Sequence, residues 1–190
     1  MSKIIFITHP QVEIDPKIDV RSWSLSKLGY QRMLEFSNSK TLANVKVIWA
    51  SKEIKAIEGA QILSKKLNID INFSPDLGEN DRSSTGFLPP AEFEKMADIF
   101  FQKPEQSIRG WETAKSAQKR IALIFSKIKQ KSVKIDDDIA IISHGAVGTL
   151  LYCAINSLNI DRIHDQVKQG SYWTYCLVSN KTLHSWKSIS

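Results

Sequence analysis

The sequence predicts an α/β protein built as a three-layer αβα sandwich around a mostly parallel sheet. Two observations support this fold class. First, short apolar runs typical of buried strands alternate with amphipathic segments of helical spacing along the whole chain. Second, a chain of 190 residues with 42% hydrophobic and 24% charged residues is large enough for one sizeable core and short for two. We therefore expect a single domain over residues 1–190.

The predicted strands are short runs of apolar and β-branched residues. Residues 4–8 and 139–143 are almost continuously apolar, which is typical of strands buried on both faces of a parallel sheet. Further strands are predicted at residues 45–50 and 69–73, with a closing antiparallel pair at 172–178 and 183–186.

The predicted helices carry apolar residues three and four positions apart. Ser24 is available to cap the first helix, and Pro89 and Pro90 open the third. The helices are expected at residues 25–36, 54–67, 91–102, 112–131 and 145–158. Residues 75–90 are rich in Gly, Pro, Ser, Asn and Asp, which predicts a long irregular loop of the kind that often carries function.

The net charge of +6 is compatible with an anionic partner. The densest basic run consists of Lys127, Lys129, Lys131 and Lys134. This run falls at the end of a helix, where cations complement the helix dipole, so we interpret it as a solvated helix end rather than a nucleic-acid site. The acidic residues 136–138 that follow are interpreted as a polar turn before a strand rather than as metal ligands.

Cys153 and Cys176 each lie within an apolar stretch, so both are expected to be buried free thiols, as suits a reducing compartment. The apolar run at residues 4–7 is too short for a signal peptide or a membrane span. The sequence therefore predicts a cytoplasmic protein that acts neither on nucleic acid nor at a membrane. It gives no indication of the oligomeric state.

Two histidines end predicted strands and are candidates for chemistry. His9 ends the first strand, and His144 ends the strand that precedes the last helix. Because ligands of open α/β sheets bind at the carboxyl ends of the strands, we expect the two imidazoles to share one site. Gly145 opens the helix after His144, where backbone N–H groups and the helix dipole favour an anion. His164 and His184 are interpreted as structural or exposed.

Five short blocks of the sequence resemble the histidine phosphatase superfamily, which includes the phosphoglycerate mutases. The first two are Thr8-His9-Pro10 after a strand, similar to Arg-His-Gly, and Leu25-Ser26-Lys27-Leu28-Gly29-Tyr30-Gln31, similar to Leu-Thr-x-x-Gly-x-x-Gln. The third is Trp49-Ala50-Ser51-Lys52 with Lys55-Ala56, similar to Ser-Ser-x-x-x-Arg-Ala after a strand. The last two are Leu77-Gly78-Glu79, similar to Leu-x-Glu, and Ile142-Ser143-His144-Gly145, similar to the second histidine motif. Five blocks in the family's order predict the phosphoglycerate mutase-like fold.

The resemblance implies a phosphatase that works through a phosphohistidine. His9 would be the nucleophile, with its neutral imidazole attacking phosphorus. Glu79 would protonate the leaving oxygen and later help to deprotonate water, and His144 would hydrogen-bond the transferring phosphoryl group. The resemblance implies no metal and no organic cofactor. The substrate it implies is a phosphorylated small molecule or a phosphoprotein.

Three residues depart from the family pattern around the phosphate. Thr8 stands where the family has an arginine, Pro10 where it has a glycine, and Lys55 where it has a second arginine. Pro10 lacks a backbone N–H, and Lys55 keeps a charge but lacks the bidentate fork of arginine. Arg21 and Arg82 lie in loops near the strand ends and are candidates to supply a guanidinium instead, the alternative being ordinary surface charge.

The predicted phosphate-binding set is therefore Thr8, Arg21, Lys55, Arg82 and Gly145. Two functions remain open on the sequence alone. The presence of His9, Glu79 and His144 favours a phosphatase, whereas the changes around them favour a catalytically impaired relative that binds a phosphorylated or anionic ligand as a sensor or partner module. A mutase is disfavoured, because nothing in the sequence indicates a means of holding a second phosphate-bearing group.

Overall fold

The computed structural model describes residues 2–132 and 137–190. Its strands are β1 (Lys3–Thr8), β2 (Val45–Ala50), β3 (Ile71–Phe73), β4 (Asp138–Ser143), β5 (Ser171–Cys176) and β6 (Lys181–Ser188). Its α-helices are α1 (Lys27–Phe36), α2 (Ile54–Leu67), α3 (Pro90–Gln102), α4 (Ala114–Ser132) and α5 (Gly145–Ile155). Short 3-10 turns lie in the loops at Val20–Ser22, Lys40–Leu42, Pro75–Leu77 and Arg162–His164.

The strands form one sheet in the order β3-β2-β4-β1-β5-β6. The strands β3, β2, β4 and β1 run parallel, β5 pairs antiparallel with β1, and β6 pairs antiparallel with β5. The predicted mostly parallel sheet with a closing antiparallel pair is therefore confirmed. Because β4 lies between β1 and β2, the carboxyl ends of these three strands meet at one edge of the sheet.

Alternate residues of β1 belong to two hydrophobic cores, one on each face of the sheet. Ile4 and Phe6 are fully buried in the core covered by α3, α4 and α5, whereas Ile5 and Ile7 are fully buried in the core covered by α1 and α2. A strand in the middle of a parallel sheet is apolar on both faces for this reason. Helices cover both faces, which confirms the predicted three-layer architecture.

The start of α1 differs from the sequence prediction. The helix begins at Lys27, and its N-cap is Ser26 rather than Ser24. The Ser26 hydroxyl accepts the N–H of Gly29 at 3.0 Å. Leu25 is still extended and takes part in an isolated β-bridge, so it cannot belong to the helix.

Two further elements begin later than predicted, in each case because of a hydrogen bond at their start. The helix α4 begins later than residue 112 because the Thr113 hydroxyl accepts the N–H of Ser116 at 3.1 Å and caps the helix. The strand β3 is shorter than residues 69–73 because the N–H of Ile69 still bonds the carbonyl of Ser64 at the end of α2, at 3.2 Å.

The helix α5 ends at Ile155 rather than at residue 158, and Ser157 adopts a left-handed φ of 55°. Asp138, predicted in a polar turn, is instead the first residue of β4, and its carboxylate accepts the N–H of Lys3 at 2.8 Å. Lys134 and Asp136 lie outside the described residues.

Both cysteines are free and buried, as predicted. Among the residues that the structure describes, none of the helices combines the length and the apolar character needed to cross a membrane.

Candidate active site

The two candidate catalytic histidines lie side by side at the carboxyl ends of neighbouring strands. His9 follows β1 and His144 follows β4, and the centroids of their imidazole rings are 5.2 Å apart at an angle of 67°. The backbone N–H of His9 donates to the carbonyl of Ser143 at 3.1 Å, which continues the parallel ladder beyond β1. The sheet thus brings together two residues that are distant in the sequence, as the strand-end argument predicts.

The surroundings of His9 leave one ring nitrogen free. Its Nδ1 lies 2.9 Å from the carbonyl oxygen of Pro10, which only accepts hydrogen bonds, so Nδ1 carries the proton and Nε2 keeps its lone pair. Burial, followed by the nearby His144 and Lys55, holds the pKa of His9 well below its ordinary value. His9 is therefore neutral near pH 7, in the form that can act as a nucleophile.

His144 is fully buried and lies directly behind His9 rather than in the wall of the cavity. Its Nε2 is 2.8 Å from the hydroxyl oxygen of Ser51, which follows β2, and 3.4 Å from a carboxylate oxygen of Glu53. Burial, followed by the charge of Lys55, holds the pKa of His144 well below its ordinary value. Its Nδ1 has no hydrogen-bond partner among the described residues.

Glu79 occupies the N-terminus of α5, where the sequence predicts an anion. Its carboxylate accepts the backbone N–H groups of Ala146 at 3.2 Å and Val147 at 3.0 Å. Burial, followed by the neighbouring carboxylate of Glu53, raises the pKa of Glu79, although the two backbone hydrogen bonds oppose the shift. Glu79 therefore has the properties of a carboxylic acid that exchanges a proton at higher pH than an exposed glutamate.

The loop that carries Glu79 is fixed by an arginine that sequence reasoning missed. Arg120, on α4, donates to the carbonyls of Asp76 and Gly78 at 2.9 and 3.0 Å and to that of Glu79 at 3.2 Å. Its guanidinium is paired with Glu112 at 2.7 Å. The predicted irregular loop at residues 75–90 is therefore held in place by α4 where it passes the histidines.

Lys55 does not present a free charge to the cavity. Its Nζ is 2.6 Å from a carboxylate oxygen of Glu53 and donates to the carbonyl of Val20 at 2.7 Å, and both charged side chains are buried. The other carboxylate oxygen of Glu53 accepts the N–H of Glu79 at 2.8 Å. Lys55 lines the cavity with its charge balanced by Glu53, and its contribution to phosphate binding stays a prediction.

The two candidate replacement arginines differ in their surroundings. Arg21 is paired with Asp19 at 2.7 Å at the rim of the cavity, and 57% of its side chain is exposed. Arg82 lines the cavity, and its guanidinium lies 4.8 Å from the ring centroid of Phe93. Among the described residues, the Arg82 guanidinium has no ion pair or hydrogen bond, which leaves Arg82 as the better placed of the two to contact an anion.

Thr8 lies beneath the cavity rather than in its wall. Its buried hydroxyl accepts the N–H of Ser171 at 2.9 Å and lies 2.6 Å from Oε1 of Gln166. The side chain of Gln166 reaches the cavity next to Gly145, where an added Cβ would lie 2.3 Å from the Gln166 Nε2. The prediction that Thr8 contacts phosphate is therefore corrected: at this position the cavity is lined by Gln166.

These groups surround a cavity of about 1300 Å³ at the carboxyl edge of the sheet. Residues at strand ends, His9 and Ser51, form its floor, and side chains from loops, including Trp23, Phe87 and Arg162, form its walls. Trp23 and Phe87 come from different loops, with ring centroids 6.0 Å apart.

Sequence reasoning missed Glu53, Asn80 and Gln166 as members of this site. Asn80 follows Glu79, lines the cavity, and has a buried Nδ2 without a partner among the described residues. Its position next to Glu79 was the one available signal, whereas Gln166 is far from every motif. No group of three or more His, Cys, Asp or Glu side chains arranged to hold a metal occurs in the described residues.

Solved structures of other proteins, two of them named as phosphatases, have the same fold. The mycobacterial glucosyl-3-phosphoglycerate phosphatase in complex with inorganic phosphate matches with a TM-score of 0.79 and 14% identity, covering 100% of this chain and 99% of that one. The Entamoeba histolytica phosphoserine phosphatase with 3-phosphoglyceric acid matches with a TM-score of 0.78 and 16% identity, covering 99% and 98%. Bacillus stearothermophilus YhfR matches with a TM-score of 0.74 and 17% identity, covering 97% and 95%.

Comparison of the amino-acid sequence with known proteins and families shows which family the chain belongs to. A search of curated proteins finds no match to the chain. The family model of the histidine phosphatase superfamily (branch 1), however, matches residues 4–181, which include His9, Glu79 and His144. The resemblance seen in the five sequence blocks is thereby confirmed, and the chain belongs to the histidine phosphatase superfamily, branch 1.

Proposed function

We propose that the protein is a phosphatase that hydrolyses phosphoric monoesters through a phosphohistidine on His9. The observation that carries the proposal is the contact of 2.9 Å between Nδ1 of His9 and the carbonyl oxygen of Pro10, which places the proton on Nδ1 and leaves Nε2 of the neutral ring unprotonated. A carboxylic acid, Glu79, is held nearby at the N-terminus of the helix that follows His144.

The first step transfers the phosphoryl group to His9. Nε2 of His9 attacks phosphorus, the bond from phosphorus to the ester oxygen breaks, and that oxygen takes the proton of Glu79. His144, fully buried behind His9 with its ring against that of the nucleophile, holds the His9 imidazole in position for this attack rather than contacting the phosphoryl group itself. In the second step water attacks phosphorus and gives a proton to the Glu79 carboxylate. The bond from phosphorus to Nε2 then breaks, and inorganic phosphate leaves.

The proposal is tested with p-nitrophenyl phosphate by comparing the wild-type protein with His9→Ala. We expect the wild type to turn over and to form a phosphoenzyme that is stable in alkali and labile in acid, and the variant to do neither. His184→Ala is the matched control, because His184 lies on β6 and bonds Ser185 and Thr174. Equal turnover in wild type and His9→Ala would contradict the proposal.

A second candidate is a module that binds a phosphorylated or anionic ligand without turnover. The pairing of Lys55 with Glu53 favours it, because the pair leaves the cavity with less positive charge near His9. In the same experiment this function would give phosphate binding without turnover and without a phosphoenzyme.

The phosphatases that share the fold act, by their names, on glucosyl-3-phosphoglycerate and phosphoserine, which supports a phosphorylated small molecule as substrate. The size of the cavity also accommodates a phosphorylated side chain of a protein. The buried free thiols of Cys153 and Cys176 support a cytoplasmic location.

A further inference from the structure

The amide of Gln166 is held in one orientation by Thr8. The Thr8 hydroxyl oxygen accepts the N–H of Ser171 at 2.9 Å, and two acceptors lie within reach of its own proton, the Ser171 carbonyl at 3.2 Å and the closer Oε1 of Gln166 at 2.6 Å. The distance of 2.6 Å to Oε1 of Gln166 suits an O–H donor and is short for an N–H donor. Thr8 therefore donates to Oε1, and the Nε2 of Gln166 is turned away from Thr8.

The Nε2 of Gln166 lies beside the start of α5, the helix that follows His144. It is next to the Cα of Gly145, the first residue of α5, since a Cβ built there would approach it to 2.3 Å. Gln166 and His9 both line the same cavity. Among the described residues, Nε2 has no hydrogen-bond partner, so two N–H donors remain available to a ligand.

The segment that carries Gln166 is anchored on both sides. The backbone N–H of Gln166 donates to the carboxylate of Asp165 at 2.7 Å, and the same oxygen accepts the hydroxyl proton of Thr149 on α5 at 2.8 Å. Further along, the N–H of Gly170 donates to the carbonyl of His9 at 3.0 Å. The amide is thus preorganised relative to the nucleophile, as a donor to a developing charge must be.

We infer that Gln166 is a catalytic residue whose Nε2 donates hydrogen bonds to the transferring phosphoryl group, and that Thr8 is the positioning residue that orients it. Together they supply, as a neutral donor, what a guanidinium at position 8 would supply as a charged one. The inference rests on the proposed phosphatase function for its kinetic readout, but the binding of inorganic phosphate tests it separately.

The first experiment measures the affinity for inorganic phosphate and kcat/KM with p-nitrophenyl phosphate. We expect Gln166→Ala to weaken phosphate binding and to lower kcat/KM by about 100-fold, the usual effect of removing one preorganised donor. Gln166→Glu should lower both further, because a carboxylate repels phosphate. Gln61→Glu, the same change on the exposed face of α2, should leave both unchanged.

The second experiment separates positioning from folding. Thr8→Val keeps the shape of the side chain and removes the hydroxyl. We expect kcat to fall by about tenfold or more although Gln166 itself is still present. Thr8→Ser keeps the hydroxyl and should restore kcat to near the wild-type value. Thermal unfolding of each variant shows whether a loss of stability, rather than of orientation, accounts for the change.

Unchanged phosphate affinity and kcat/KM in Gln166→Ala would overturn the inference, and so would equal kcat values in Thr8→Val and Thr8→Ser. A wild-type protein that binds phosphate in a Gln166-dependent manner but forms no phosphoenzyme would overturn the proposed function alone. A wild-type protein that does not bind phosphate would overturn both.

Discussion

At the scale of single residues, burial favours the uncharged forms of both proposed reacting groups. The pKa of His9 is lowered mainly by burial, and the pKa of Glu79 is raised mainly by burial. A nucleophile must be deprotonated and a general acid protonated, so the two shifts widen the pH range in which both conditions hold.

This arrangement predicts the direction of the pH dependence. Activity should fall as the pH rises through the raised pKa of Glu79, since the acid is then lost. At low pH it should persist below the ordinary pKa of histidine, because the pKa of His9 is lowered. Profiles of kcat/KM against pH check both predictions, and a loss of activity as the pH falls through the ordinary pKa of histidine would contradict the second.

The loss of rate on replacing Glu79, the proposed acid, should depend on the leaving group of the ester. We expect Glu79→Gln to lower kcat by about 100- to 10,000-fold with an alkyl phosphate such as glycerol phosphate, the usual range for general acid catalysis. The first step with p-nitrophenyl phosphate should suffer less, because its leaving group needs no proton. Single-turnover rates with the two esters measure the difference, and equal losses would exclude Glu79 as the acid.

Because Glu53 balances the charge of Lys55, we expect that replacing Glu53 will strengthen the binding of phosphate. In Glu53→Gln the Lys55 charge is no longer balanced, and a repelling carboxylate is removed from the cavity. We expect phosphate to bind about tenfold more tightly, which corresponds to ~1.4 kcal/mol. Titration with inorganic phosphate measures this, with Glu35→Gln on the exposed face of α1 as the control. Weaker binding in Glu53→Gln would contradict the charge argument.

The sequence is informative about residues in motifs and uninformative about contacts between distant segments. His9 and His144 could be paired because each ends an apolar strand, and Glu79 was found through the resemblance. The pairing of Lys55 with Glu53 could not be predicted from the sequence, because it depends on how the chain folds at the start of α2. The bond from Thr8 to Gln166 joins residues 158 positions apart, and no local pattern indicates it.

At the scale of elements, the start of α5 is shared by two functional groups. Its N–H groups at Ala146 and Val147 bind Glu79, and its first residue, Gly145, leaves room for the Gln166 amide. The sequence predicts an anion at this helix end, and in this structure the group seated on it is the protein's own carboxyl group of Glu79. Short-range rules predict such a helix end and do not identify what occupies it.

The close approach of Gly145 to the Gln166 amide predicts that a larger residue at position 145 will impair activity. We expect Gly145→Ala to displace the Gln166 amide and lower kcat/KM by about tenfold or more, because the new Cβ would overlap Nε2. In the double variant with Gln166→Ala the second change should add little, since the two act on the same group. Fully additive losses in this cycle would show that Gly145→Ala acts elsewhere.

Helix and strand identities were predictable, while several ends were not. Apolar periodicity fixes which segments pack on the sheet, so each predicted strand and helix is present. The ends depend on single hydrogen bonds, such as the Ser26 cap of α1 and the Thr113 cap of α4. Several hydroxyl-bearing residues near each end compete for that role, and the packing of neighbouring segments decides between them.

At the scale of the whole molecule, a buried arginine ties distant parts of the chain together. Arg32, on α1, is 6% exposed and donates to Gln11 at 2.7 Å, to the carbonyls of Gln169 and Gly170 at 2.9 and 3.2 Å, and to Ser190 at 2.9 Å. It thereby joins the segments after β1, before β5 and after β6.

Removing this arginine should reduce stability more than removing an exposed one. We expect Arg32→Met to lower the free energy of unfolding by about 3 kcal/mol, because several buried acceptors lose a charged donor. Arg109→Met, which breaks an ion pair with Glu92 that is about half exposed, should cost less than about 1 kcal/mol. Urea unfolding measures both, and equal effects would contradict the role of Arg32.

The cavity's division into a floor of strand ends and walls of loops has an evolutionary consequence. Strand ends are immobilised by the sheet, so the proposed nucleophile His9 is expected to keep its position when Trp23, Phe87 or Arg162 is replaced. On the proposed phosphatase function, we expect insertions and substitutions in the connecting segments other than the Glu79 loop to change which ester is preferred and to leave the reaction the same. Chimaeras that exchange these segments between relatives should inherit the substrate preference of the donor and the reaction of the recipient.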